Sequence, residues 1–204
     1  MDEETTKEFV TDIGREAERL SRITENLLRL TRLDSGVVQQ PYPVAVRPVL
    51  ERVERMLTMV AQEKGVTVSG AADEDAVALA TDDDVHQILY NLMENAIKYS
   101  AAEDGFVRAE AHVDGDKVVL TVSDNGIGIP NEDLPHIFDR FYRTDASRNS
   151  ATGGSGIGLS IVKKIIEDHG GKIWATSKED SGTTMYFVIR KYQEVTANEQ
   201  NTDR

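Results

Sequence analysis

Apolar side chains recur at intervals of three and four residues along the first 34 positions of the chain. The stripe, which also includes threonines, contains Phe9, Ile13, Ala17, Leu20, Ile23, Thr24, Leu27, Leu30, Thr31 and Leu33. This spacing predicts one long amphipathic helix over residues 3–34, which Gly36 would end. A lone helix cannot bury such a stripe within itself. We therefore expect partner helices in a second copy or in a part of the protein missing from this chain.

Pro41 and Pro43 follow this helix and favour extended backbone, which predicts a linker. We place a domain boundary here. Residues 1–40 would form a helical segment, residues 41–192 a compact domain, and residues 193–204 a polar tail.

Helical and strand periodicities alternate through the compact domain. Apolar spacings of three and four predict helices over residues 47–64, 83–99 and 156–169. Short apolar runs between turn signals predict strands over residues 66–68, 77–79, 106–113, 117–123, 172–176 and 183–190. The loop over residues 125–156 is long for a compact domain, and such loops are usually functional lids. Phe138 and Phe141 are expected to be packing residues that anchor this lid.

Composition excludes several classes of function. The net charge of −13 argues against a nucleic-acid or anionic-membrane binder, because phosphate groups require clustered Lys and Arg. The sequence has no cysteine, so disulfides and thiolate metal sites are excluded. No apolar run approaches the ~18 residues of a membrane span, so we expect a soluble, cytoplasmic fragment.

Two stretches carry the candidate chemistry. Asn91 and Asn95 lie one turn apart on the same face of a predicted helix, and Lys98 and Tyr99 follow them. The apolar spacing of this helix predicts that Asn91, Asn95 and Lys98 lie away from its main buried stripe. Asp124 comes directly after a predicted buried strand and begins the segment Asp-Asn-Gly-Ile-Gly. Amide oxygens, a carboxylate, a cation and close glycines are what a nucleotide–magnesium site needs.

A second glycine-rich run, residues 153–158, leads into a predicted helix. Glycines in that position let backbone N–H groups approach a phosphate, but the run taken alone is weak evidence, and a flexible hinge is the alternative. The run is not a P-loop, because no Gly-Lys-Ser/Thr follows. It is not the dinucleotide fingerprint either, because the third glycine would fall at Leu159.

Taken in order, four segments resemble the sequence boxes of the catalytic, ATP-binding domain of bacterial sensor histidine kinases. Residues 91–99 resemble the N box, residues 124–129 the first glycine box, residues 137–143 the F box and residues 154–159 the second glycine box. The resemblance covers about residues 44–190. Residues 1–40 resemble the second helix of the family's dimerisation and histidine-phosphotransfer domain.

Together with the elements above, this resemblance implies an α+β fold. The expected architecture is a two-layer α/β sandwich of the Bergerat ATP-binding type. It has a mixed, mostly antiparallel sheet with helices on one face, and one long helix precedes it.

The resemblance also implies a binding site for the base of ATP. Asp124 would accept a hydrogen bond from the adenine amino group, which selects adenine over guanine. Gly126 and Gly128 would leave room for the base and an ordered water, and Tyr99 would lie along the adenine or sugar. Thr183 could help the same contact or be an ordinary strand threonine.

At the phosphate end, Asn95 would bind Mg²⁺ through its amide oxygen and Asn91 would support the metal or a phosphate. Lys98 and Arg143 would neutralise phosphate charge. The implied catalytic residues are thus Asn91, Asn95, Lys98 and Arg143. The remaining implied nucleotide contacts are Ile129, Gly154, Gly156, Gly158 and Leu159.

Asn91 indicates that the site holds ATP for phosphoryl transfer to an external nucleophile and does not hydrolyse it quickly. In the related gyrase and chaperone ATPases, a Glu four residues before the metal-binding Asn activates water, and an amide cannot act as a general base. Glu94 points roughly 100° around the helix from Asn95 and does not replace it. The alternatives are a gyrase- or chaperone-class ATPase, a serine kinase acting on a regulatory protein, and a degenerate nucleotide-binding module.

The phosphoacceptor is the point at which the sequence departs from the family. The family carries a Ser-His-Glu-Leu-Arg-Thr-Pro-like box on the preceding helix, and no such segment occurs here. His86, His112, His136 and His169 each have a local explanation. We therefore expect a truncated chain that binds Mg²⁺ and ATP but does not autophosphorylate alone.

The expected partners follow from the same resemblance. They are a response-regulator receiver domain and a second copy, joined through the N-terminal helix. No nucleic-acid partner is expected, and the full-length protein would reach the cell membrane only through missing segments.

Overall fold

A computed structural model of the protein describes residues 39–101, 103–144 and 156–194, with scattered positions between residues 9 and 31. Each of these scattered positions is helical and exposed. The predicted site residue Gly154 and the predicted polar tail beyond residue 194 lie outside the described residues.

Seven strands and three helices make up the described part of the compact domain. In chain order they are β1 (Tyr42–Ala45), α1 (Val46–Glu63), β2 (Val66–Ala72), β3 (Val77–Ala80), α2 (Asp82–Tyr99), β4 (Gly105–Asp114), β5 (Lys117–Asp124), α3 (Gly158–Asp168), β6 (Lys172–Lys178) and β7 (Gly182–Arg190).

The main sheet has five strands in the order β2-β4-β5-β7-β6. β2 and β4 are parallel, and the other neighbours are antiparallel. Alternate residues of the central strands are buried beneath the helices, as one covered face requires. They are Val107, Ala109, Ala111, Val118, Leu120, Val122, Met185, Phe187 and Ile189. The predicted α+β fold with a mixed, mostly antiparallel sheet is therefore confirmed.

The segment around Pro41 and Pro43 was predicted to be a linker, and this prediction is wrong in part. Tyr42–Ala45 forms β1, which pairs with β3 in a separate two-stranded sheet. Both strands of such a sheet are edge strands, where a proline can be accommodated. Two runs that were predicted as strands around one turn, β2 and β3, consequently belong to different sheets.

A side-chain contact between His169, at the end of α3, and Asp84 connects the two helices near the N-terminus of α2. The His169 Nε2 atom lies 3.0 Å from the Asp84 Oδ2 atom, and only 4% of the His169 side chain is exposed. Asp84 lies in the first turn of α2, where its backbone N–H donates to the capping side chain of Thr81. At its other end, α3 begins with Gly158 beside Asn91 of α2. The contact at His169 thus helps to hold the start of α3 against the middle of α2.

Candidate functional site

Helix α2 carries the first set of site residues along one side. Asn91, Asn95 and Tyr99 follow one another at intervals of four residues. The eight residue steps from Asn91 to Tyr99 span about 12 Å of helix. The helix thereby fixes the distance between one end of the candidate site, at α3, and the other end, at the carboxyl end of β5.

Asn91 was expected to lie away from the buried stripe of α2, and this expectation is wrong. The residue is only 8% exposed. Its amide nitrogen donates to the Gln87 carbonyl oxygen at 3.0 Å. A Cβ atom added at Gly158 would lie 3.2 Å from the Asn91 Oδ1 atom, so the start of α3 covers the side chain.

Asn95 and Lys98 occupy the middle of the site. The half-buried side chain of Asn95 forms no hydrogen bond with any residue that the structure describes. The Lys98 ammonium lies 4.9 Å from the centre of the Tyr99 ring. Lys64, which the sequence analysis did not select, donates to the Lys98 carbonyl oxygen at 3.1 Å. Burial lowers the pKa of Lys64, and the positive charge of Lys98 lowers it further.

Asp124 ends β5 and lies directly opposite Thr183 of β7. The Asp124 Oδ1 atom accepts a hydrogen bond from the Gly126 N–H at 2.8 Å. Burial raises the pKa of Asp124, and hydrogen bonds from the backbone N–H groups of Gly126 and Thr183 partly oppose this effect. The carboxylate is therefore a partly desolvated acceptor that the backbone holds in one orientation.

The glycines after Asp124 allow close contacts on both sides of the segment. A Cβ atom at Gly126 would lie 1.8 Å from the Tyr99 carbonyl oxygen, which accepts from the Ile127 N–H at 3.1 Å. Gly128 has φ +69°, and a Cβ atom there would lie 2.1 Å from the Lys178 carbonyl oxygen. The segment is thus held between the end of α2 and the β6–β7 hairpin, where only glycine fits.

Ser177, which was not among the predicted site residues, connects this segment to the hairpin. Its hydroxyl oxygen accepts from the Ile129 N–H at 2.8 Å and lies 2.9 Å from the Thr183 Oγ1 atom. Thr183 itself is only 7% exposed. An available signal was the alternation of β6, which places Ser177 on its inward face.

The lid begins after Pro130 and continues as a series of turns. Ile137 is buried and Phe138 packs against the core, but Phe141 is 64% exposed with φ +64°. The expectation that both phenylalanines anchor the lid is therefore wrong for Phe141. Its backbone provides the anchor instead, because the Phe141 N–H donates to the Gly156 carbonyl oxygen at 2.9 Å.

The predicted site residues thus fall into three groups. The base end brings together Tyr99, Asp124, Gly126, Gly128, Ile129 and Thr183. Asn91 meets Gly158 at the other end, where Leu159 follows, and Asn95 and Lys98 lie between the two ends. Gly156 meets the lid at Phe141, and Arg143 lies two residues further along the lid as a half-buried residue.

Residues 80–193 match the family of histidine kinase-, DNA gyrase B- and HSP90-like ATPases, and the chain belongs to this family. ATP is therefore the nucleotide of this domain. The similarity extends to the sensor histidine kinase WalK of Bacillus subtilis, which is 36% identical over 185 residues. That match covers 89% of this chain but only 30% of WalK.

Solved structures of histidine kinases are also similar to this chain. The catalytic domain of the histidine kinase ThkA is 30% identical with a TM-score of 0.65, and the match covers 75% of this chain and 99% of that domain. ThkA in complex with the response regulator protein TrrA is 26% identical with a TM-score of 0.73, over 94% of this chain and 53% of the other. The prediction of a sensor histidine kinase ATP-binding domain is confirmed.

Among the helices that the structure describes, none combines the length and the apolar character needed to cross a bilayer.

Proposed function

We propose that the site binds ATP together with Mg²⁺ and presents the γ-phosphoryl group to a histidine of a dimerisation helix. The observation that carries this proposal is the geometry of the base end. Asp124 and Thr183 face each other across two strands, and the following glycines lie against Tyr99. From there α2 leads past Lys98 and Asn95 towards the start of α3, so base and phosphates would occupy opposite ends.

The donor set fits a magnesium ion that shares its ligands with nucleotide phosphates. The Asn95 amide oxygen is a ligand that Mg²⁺ accepts, and no described residue competes for it. No group of three His, Cys, Asp or Glu side chains suited to a metal gathers in the described part of the chain. The ion would therefore depend on phosphate oxygens for the rest of its shell, and it would neutralise phosphate charge.

We expect Asn95→Ala to weaken ATP binding by about tenfold or more in Mg²⁺ but to leave affinity in EDTA unchanged, because only the metal ligand is lost. Titration calorimetry in both buffers measures this. Gln62→Ala removes an exposed amide from α1 and serves as the matched control. Equal losses for Asn95→Ala in both buffers would exclude the metal role.

The same residues favour phosphoryl transfer over hydrolysis. The Asn91 amide donates to a backbone carbonyl and cannot take a proton from water. Glu94 accepts a hydrogen bond from the Tyr90 hydroxyl at 3.3 Å, which directs its carboxylate along its own helix. Lys98 and Arg143 would hold the phosphates in position, and the nucleophile has to come from another group.

None of the four histidines in the sequence is arranged as that nucleophile. His169 is buried against Asp84, and His136 lies 3.1 Å from the Asp139 carboxylate. His86 stacks on Tyr90, and His112 lies on β4, on the face of the sheet away from the helices. We therefore assign the acceptor to a residue outside this sequence.

With γ-labelled ATP, the chain alone is expected to bind nucleotide but to gain no acid-labile phosphate. Gel autoradiography before and after acid treatment measures this. A phosphohistidine located by mass spectrometry on any of the four histidines would contradict the assignment.

Two partners belong to the same proposal. The TrrA complex of ThkA supports a response-regulator receiver domain as the recipient of the phosphoryl group. The exposed apolar residues Phe9, Ile13, Leu20 and Leu28 of the N-terminal helix support self-association. Sedimentation of the chain, alone and with a receiver domain, tests both.

A further inference from the structure

Three polar atoms surround the Ser177 hydroxyl. The Ile129 N–H donates to it at 2.8 Å, and the Gly182 carbonyl oxygen lies 2.9 Å away as an acceptor. The third neighbour, the Thr183 Oγ1 atom, lies at 2.9 Å. A hydroxyl group has one proton to donate and two lone pairs that accept, so three partners exhaust its capacity.

These three contacts are compatible with only one direction for each proton. A carbonyl oxygen can only accept, so the Ser177 proton goes to Gly182. The Ile129 N–H occupies one lone pair of the Ser177 oxygen, and the other remains for a donor. Thr183 must then be that donor, and its only hydroxyl proton is used inside the protein.

We propose that Ser177 determines base specificity by fixing Thr183 as a hydrogen-bond acceptor. Ser177, Thr183 and Asp124 lie in one row across β6, β7 and β5, and directly opposite residues share a face of the sheet. The Thr183 oxygen therefore presents only lone pairs on the face that also carries the Asp124 carboxylate.

Two adjacent acceptors recognise a base edge that carries an exocyclic amino group. They reject a base with a carbonyl oxygen at that position, because this oxygen would face the Asp124 and Thr183 oxygens with no proton between them. The inference rests on the proposed binding of a nucleotide base at Asp124. It adds a residue that would not touch the nucleotide but would act through Thr183.

The test compares ATP with inosine triphosphate, which carries a carbonyl oxygen in place of the amino group. The dissociation constants of both nucleotides are measured for the wild type and for Ser177→Ala. The substitution frees the Thr183 proton to turn towards a carbonyl group. We expect the preference for ATP to fall about fivefold.

Two further variants serve as controls. Ser177→Thr keeps the hydroxyl and should retain the wild-type preference. Ser123→Ala removes a serine of β5 from a comparable hydroxyl pair with Thr184 of β7, at 3.0 Å in the same sheet, and should also leave the preference unchanged. If Ser177→Ala fails to fold, Thr183→Val provides a second measurement. If the Thr183 hydroxyl is an acceptor for the base, its removal in Thr183→Val lowers the preference for ATP. If it were a donor, its removal would raise that preference.

The outcomes separate the two proposals. A wild type that binds neither nucleotide overturns the proposed function and this inference with it. A wild type that prefers ATP, with a Ser177→Ala variant that weakens both nucleotides equally or changes neither, overturns the specificity role alone. A raised preference in Thr183→Val also overturns it.

Discussion

The Asp124→Asn variant is expected to lose about 10- to 100-fold in ATP affinity while remaining folded. The substitution replaces one acceptor oxygen with an amino group, which then faces either the adenine amino group or a backbone N–H donor. A hydrogen bond to a charged acceptor contributes about 1.5–3 kcal/mol, which sets this range. Titration calorimetry with ATP and Mg²⁺ measures the loss.

Asp114→Asn is the matched control. Asp114 also ends a strand of the same sheet, β4, but it is exposed at the β4–β5 hairpin, at the end of β5 away from Asp124. Its affinity should equal that of the wild type. If Asp124→Asn bound ATP as tightly as this control, the assignment of Asp124 to the base would be wrong.

The stability of the Asp124→Asn variant relative to the wild type is also expected to depend on pH. Burial raises the pKa of Asp124 above 3.8, so the folded protein holds this proton more tightly than the unfolded chain does. The resulting stabilisation is fully present below the unfolded pKa and is lost as the pH rises through the folded pKa. Relative to the wild type, the nucleotide-free variant should therefore gain thermal stability as the pH increases from about 4. Calorimetric melting without nucleotide measures the difference.

Gly128→Ala is expected to cost about 3 kcal/mol or more of unfolding free energy and to disrupt the base end. Two effects combine, since the residue has a positive φ and its Cβ atom would lie 2.1 Å from the Lys178 carbonyl oxygen. Urea denaturation measures the loss.

Gly115→Ala separates these effects. Gly115 has φ +60°, and nothing lies within 4 Å of an added Cβ atom. Its loss should therefore be limited to the backbone term of about 1–2 kcal/mol. Equal destabilisation by the two substitutions would show that the close approach to Lys178 does not matter.

Periodicity was sufficient to predict the helices and the central strands, because each presents one apolar face to a shared core. The motif residues of the base end were predictable for a related reason. Asp124, Gly126 and Gly128 lie within one short segment of the sequence, and their conformations follow from residue type. Asn91 was misplaced because its burial depends on the start of α3, which lies more than 60 residues further along the chain.

Other failures have the same origin in long-range contacts. β1 exists because β3 pairs with it, and no local signal around Pro43 reveals that partner. Ser177 looks like an ordinary strand serine until Ile129 and Thr183 are brought to it. Phe141 is a large apolar residue of the kind that usually packs, but its backbone is held by Gly156 and its side chain is exposed.

The sheet order has a consequence for the timing of folding. β7 lies between β5 and β6, although it is the last of the described strands along the chain. Asp124 can meet Thr183 only after residues 182–190 have emerged from the ribosome. A nascent chain that stops before that point would contain every other described strand but no complete base end. ATP could then stabilise the domain only once β7 has emerged and paired with β5, and a shorter nascent chain would remain without its ligand.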